Sequence, residues 1–188
     1  MITKGFPLKN PLIAVVRIID GFNEFVGRAI SWLVVLMVIN VFCVVVLRYL
    51  FSVGWIWTQE TYVWMHGTVF MLGAGYTLLH DGHVRIDLFY REASEKYKAA
   101  VNLVGSLVLA LPLIWLIFDK SWPIVVRSWE NLEKSAEAGG LPALYLFKSV
   151  MIGFCIVFGL QFIALALRSL LVLTGVEMEV VDKPEAEV

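Results

Sequence analysis

The sequence predicts an all-α integral membrane protein with four transmembrane helices, additional amphipathic interfacial helices and both termini in the cytoplasm. Three observations lead there. Four apolar stretches of nearly equal length, Ala29 to Leu47, Thr61 to His80, Ala99 to Phe118 and Ser149 to Leu167, hold 19, 20, 20 and 19 residues and no Asp, Glu, Lys or Arg. At about 1.5 Å of rise per residue each is roughly 28 to 30 Å long, the thickness of a hydrocarbon core. Hydrophobic residues make up 60% of the 188-residue chain and its mean hydropathy is +0.80, which exceeds the composition of a soluble domain. Finally, the stretches are apolar all round, whereas helices of a soluble bundle would keep a polar face.

Residues 1 to 28 form the first segment, a cytoplasmic N-terminus with an amphipathic helix. Leu12, Val15, Val16, Ile19, Phe22 and Val26 recur at helical spacing, with Arg17, Asp20 and Glu24 on another face, the pattern of a helix lying at the membrane surface. Arg17 interrupts this apolar run and no small-residue cleavage site follows the first long one, so no cleavable signal peptide is expected. A four-span membrane domain, residues 29 to 175, comes next.

Within that domain the first span is 29–47, the second 61–80, the third 99–118 and the fourth 149–167. Pro112 lies inside the third span and cannot donate to the carbonyl of Val108, so a kink is expected there. A second interfacial helix is expected over about 121–134, where Trp122, Val125, Val126, Trp129 and Leu132 oppose Arg127, Glu130, Glu133 and Lys134. Its tryptophans suit the headgroup boundary. The breaker cluster Ala138-Gly139-Gly140-Leu141-Pro142 must end any helix before the fourth span. Residues 176 to 188 form an acidic cytoplasmic tail with the composition of a disordered segment.

Orientation follows from the basic residues, which are retained on the cytoplasmic side. The N-terminal segment, second loop and tail carry 10 of them, and the first and third loops carry 5. The net charge of -1 gives no basis for a nucleic-acid partner.

Candidate chemistry is sparse. Ionisable groups within a bilayer are the default place to look for transport or electron transfer, and His66 alone lies within a span, near the neutral polar Asn40, Thr61, Thr68 and Gln161. A neutral His66 packed against small neighbours needs no catalytic task. Haem between two histidines would need ligands from facing helices, but His66, His80 and His83 all belong to the second span or its exit. His80-Asp81-Gly82-His83 is more simply a hydrated helix end than a metal site. Cys43 and Cys155 fall inside spans and are expected to be free thiols. No catalytic residue, cofactor-binding residue or metal site is therefore assigned, and the chain is not expected to be an enzyme. Gly67, Gly73, Ala74, Gly75, Gly105, Ser106, Ala110, Gly153 and Gly159 offer close helix contacts instead.

Read in order, the chain resembles the small membrane subunit of tripartite ATP-independent periplasmic (TRAP) transporters. The likeness rests on Leu47-Arg48-Tyr49-Leu50-Phe51 after the first span, Trp57-Thr58-Gln59-Glu60 before the second and Gly82-His83-Val84-Arg85-Ile86-Asp87 after it. Glu133-Lys134-Ser135, Gly139-Gly140-Leu141-Pro142 and Gln161 complete it. Arg48, Trp57, Glu60, His83, Arg85, Asp87 and Gln161 are the resulting partner-binding or structural candidates.

The resemblance implies a division of labour. A periplasmic substrate-binding protein delivers an organic acid, a large TRAP membrane subunit holds the substrate and sodium sites and moves as an elevator, and the small subunit widens the static scaffold. It implies a bacterial inner-membrane location, membrane lipids as surroundings, and no cofactor in this chain, with sodium in the large subunit only. A free-standing four-span carrier or exporter acting as a homodimer is the alternative.

Overall fold

The computed structural model describes residues 11–83 and 93–175, which form helices and connecting loops with no strand among the described residues. The order is α1 (Pro11–Phe51), α2 (Ile56–Leu79), α3 (Glu95–Val104), a π-helical stretch (Gly105–Ala110), α4 (Leu111–Glu130) and α5 (Leu144–Leu173). Three helical units, Pro11–Phe51, Glu95–Glu130 and Leu144–Leu173, are long and apolar enough to cross a membrane. With its 24 residues α2 is also long enough, but Tyr62, Trp64, His66, Thr68, Tyr76 and Thr77 dilute its hydropathy.

The expected separation between amphipathic segments and spans is not found. Leu12 to Val26 is the opening of α1, whose 41 residues run without a break for roughly 60 Å, about twice a hydrocarbon core. Val16 and Ile19 of this segment are buried against Ala164, with Leu160 and Leu167 beside them, so its apolar face is taken up by α5. Similarly, α4 passes through Phe118 and Lys120 and ends only at Glu130. Neither junction ends a helix: Gly27 at the first is helical and buried against Tyr76, and Pro123 is accommodated inside α4.

Local chemistry accounts for the ends. At the close of α2 the Gly82 N–H donates to the Thr77 carbonyl at 2.8 Å and the Asp81 N–H to that of Leu78 at 3.2 Å, the paired bonds of a Schellman stop. Asp81 itself takes the left-handed position, with φ 57°. Ser94 caps α3, its hydroxyl accepting from the Tyr97 N–H at 3.3 Å. In place of a sharp kink before Pro112 there is the π-helical stretch, where the Leu111 N–H reaches back five residues to the Ser106 carbonyl. The wider turn lets the chain pass the missing proline donor.

α5 is the centre of the fold. It packs against α1 and α2 on one side and against α3, the π-helical stretch and α4 on the other, and these two groups do not touch each other among the described residues. Its buried positions are mostly small: Cys155, Gly159, Ala164, Ala166 and Ser169. Small residues permit the close approach that helices in lipid rely on. Gly75 shows this most clearly, since a Cβ there would lie 2.9 Å from the Val157 carbonyl oxygen and closer still to Asn23 Oδ1. The glycine is the space in which α1, α2 and α5 meet.

Replacing Gly75 by Ala is therefore expected to destabilise the chain by about 1–3 kcal/mol through overpacking. Gly105→Ala, with nothing within 4 Å of the added carbon, should leave the thermal midpoint of the detergent-solubilised protein unchanged or raise it. Equal midpoints for the two variants would refute the three-helix contact.

Candidate functional site

Polar side chains gather at the two ends of the helices. At one end α2 begins with Trp55, Trp57 and Glu60. Trp55 and Trp57 are exposed and stacked, with ring centroids 6.2 Å apart. Glu60 turns inward to the loop between α4 and α5: Ser135 Oγ donates to Glu60 Oε1, and the Leu141 N–H donates to Oε2 at 2.6 Å. The loop closes on itself through the Ser135 N–H to the Leu141 carbonyl at 3.0 Å. Gly140 is required in this knot, because a Cβ there would stand 2.8 Å from Glu60 Oε2.

Beside this knot, α4 ends in a second Schellman stop, with the Glu133 N–H donating to the Ser128 carbonyl at 3.0 Å and Leu132 left-handed at φ 43°. Lys148 Nζ and Ser128 Oγ both donate to Glu133 Oε2. The Lys148 ammonium, hydrogen-bonded to Glu133, holds its carboxyl below the ordinary carboxylate value, with help from the Ser128 hydroxyl. Trp129 Nε1 donates to Ser149 Oγ at 2.8 Å, and its ring meets Tyr145 edge-on. A cleft of about 540 Å3, lined by Pro123 and Ile124 as well as Arg127, Ser128, Asn131, Glu133 and Lys148, opens beside the pair.

At the opposite end Asp20 joins α1 to α5. It accepts from Arg168 Nη2 at 2.6 Å and from Gln161 Nε2 at 3.0 Å. One helical turn on, Asn23 is fully buried and donates to the Ile19 carbonyl at 3.3 Å. Asn23 Oδ1 and Gln161 Oε1 are enclosed acceptors without a hydrogen-bond partner. Glu24 then joins α1 to α2, meeting His80 Nε2 at 2.7 Å and Arg28 Nε at 2.6 Å.

The sequence-derived candidates separate on this frame. Glu60 and Gln161 are at interhelical contacts. His83 is half-buried with its ring edge-on to Phe158, centroids 5.5 Å apart. Arg48 is exposed in the last turn of α1 and is not paired with Glu60, whose oxygens are taken by Ser135 and Leu141. Arg85 and Asp87 lie outside the described residues. His66, expected to pack against small neighbours, is instead exposed on α2. Asp20, Asn23 and Arg168 were not singled out as partners. A usable signal existed, since Gln161 and Arg168 are seven residues apart on one face of α5 and Asp20 interrupts the apolar spacing of α1. Among the described residues no group of three or more His, Cys, Asp or Glu is placed to hold a metal ion.

A family model, described as Tripartite ATP-independent periplasmic transporters, DctQ component, matches residues 28–172. The match takes in both partners of the Glu60 knot and Arg168, and begins after Asp20 and Asn23. No curated protein and no solved structure matches the chain.

A pH test isolates the Glu133 contact. A carboxyl whose folded pKa is depressed contributes stability that is present above its ordinary value of 4.5 and is lost as pH falls through the lower, folded value. Hydrogen exchange across residues 131–142 should therefore accelerate on acidification below about 4.5, beyond the intrinsic pH dependence of exchange. In Glu133→Gln that step should be absent. Persistence of the full acid step in the variant would assign it to another group.

Proposed function

The chain belongs to the DctQ family of components of tripartite ATP-independent periplasmic transporters, an inner-membrane family, and from that premise we propose that it is the small permease subunit that enlarges the static scaffold of a large elevator subunit. The observation that carries this reading is the family match across nearly the whole helical region, residues 28–172. The partners are the large membrane subunit and a periplasmic substrate-binding protein. The cargo is an organic acid and the driving ion is sodium, with both held by the large subunit. This chain performs no catalysis of its own.

Several features support a static role. Transporters commonly hold ion and substrate at mid-depth with interrupted helices, whereas the carboxylates described above are engaged in contacts between elements of this chain. Both ends are tied between helices, by Glu60 to the α4–α5 loop and by Asp20 to Arg168. The most apolar stretch of α1 buries none of its residues within the chain, so a large lateral surface is left for lipid or protein. We place α2 across the membrane as a fourth span because it runs antiparallel along α1, with Tyr76 against Gly27 and Ile30 against Gly73. Basic residues favour both termini inside.

In proteoliposomes the chain alone should give no sodium-driven uptake, whereas chain, large subunit and loaded binding protein together should. Uptake by the chain alone would restore a free-standing homodimeric carrier. Topology is tested separately in a Cys43→Ala, Cys155→Ala background. Ala138→Cys should react with an impermeant thiol reagent in cells with a permeabilised outer membrane, and Glu185→Cys only once the inner membrane is opened. The reverse pattern would invert the orientation.

A further inference from the structure

α2 differs from the other long helices in that its composition alone does not qualify it as a span. Its outward positions form one continuous stripe. Ile56, Gln59, Val63, His66 and Phe70 follow one another at alternating steps of three and four residues, the seam spacing along which a second helix packs lengthwise. Val63 is 51% and Phe70 73% exposed, His66 is exposed and Gln59 half-buried. α1 and α5 flank α2 and leave this seam uncovered.

His66 lies ten residues from one end of α2 and thirteen from the other, so it stands near mid-depth once α2 spans the bilayer. Its ring makes no hydrogen bond, ion pair or stacking contact with another described residue. The α1–α2 register, Gly27 beside Tyr76 and Ile30 beside Gly73, brings Asn40 level with Val63, one turn from His66. Asn40 Oδ1 is likewise enclosed without a partner. Acyl chains offer the exposed His66 no hydrogen bond, and a polar group at that depth is costly unless protein satisfies it.

We propose that the Ile56–Phe70 seam of α2 is where a transmembrane helix of the large membrane subunit packs, with a hydrogen-bonding side chain of that helix opposite His66. This rests on the functional reading above, which supplies a membrane partner. It adds which helix the partner covers and which atom sets the register.

The test uses the two membrane subunits co-expressed at full length, with a photocrosslinking residue at Val63. An adduct between this chain and the large subunit is expected. Adducts only to lipid or to a second copy of this chain overturn the seam. His66→Leu should raise the dissociation constant of the complex about three- to fifteen-fold, the range of an interhelical hydrogen bond in a membrane, without lowering the thermal midpoint of the isolated chain. His66→Gln, which keeps a donor and acceptor, should stay within about two-fold of wild type. Equal affinity of the Leu variant and wild type overturns the hydrogen bond. Failure of the wild-type subunits to co-purify overturns the functional reading and this assignment together. A complex that forms without a Val63 adduct to the large subunit overturns this assignment alone.

Discussion

Close approach at Gly75 is the constraint on which the α1, α2 and α5 side of the fold depends. Lipid removes the hydrophobic drive that would press helices together in water, so the packing must come from shape. Without a side chain at Gly75, Asn23 of α1 and the Val157 carbonyl of α5 both reach the α2 backbone. Once Asn23 is seated, helical geometry places Asp20 one turn away towards Arg168 and Gln161, and Glu24 beside His80. The charged contacts therefore fix a register that the glycine makes possible. Asp20 and Arg168 keep some exposure, so their pairing is weighted towards specificity of register more than towards net stability.

At the other end a carboxylate performs the same linking task on a loop. Thirteen residues separate Glu130 from Leu144, and such a loop has backbone donors that must find acceptors. Glu60 accepts both the Ser135 hydroxyl and the Leu141 N–H, and thereby ties the start of α2 to the connection between α4 and α5. This matters because α2 and α4 do not otherwise meet among the described residues. The knot is thus a direct bridge between the two groups of helices that α5 otherwise holds apart.

Much of this was legible in the sequence, and the parts that were not share a cause. Long charge-free stretches announce helices because backbone groups in hydrocarbon must bond within their own segment. The breaker cluster at Ala138 to Pro142 lies in the non-helical connection before α5 as expected, although α4 has already ended at its own stop around Leu132, and Pro112 marked a helical irregularity, although its form is a π-helical turn. Charge was misleading as a sign of helix ends: Arg28, Lys120 and Asp119 flank apolar stretches but leave the backbone helical, so the two amphipathic segments merged with their neighbours. Pairings such as Asp20 with Arg168 depend on how helices rotate about their axes, which periodicity in one helix cannot supply. The pieces of the family pattern, by contrast, were visible separately as Trp57 to Glu60, Glu133 to Ser135 and Gly139 to Pro142. Their meeting in one knot appears only in three dimensions.

The distribution of interactions along the helices has a mechanical consequence. Ion pairs and loop bonds restrain both ends of α2 and α5 and the first half of α1, while His66 stands exposed in the middle of α2. A mobile element would have the opposite arrangement, with weak ends that release and a central site that closes on its ligand. Here the tied ends resist relative sliding, and the uncompensated His66 lies on the outward seam of α2. An added helix that satisfies His66 would stiffen the middle without disturbing either end. The fold is in this sense tied at the ends of α2 and α5, a property that the scaffold role proposed above calls for.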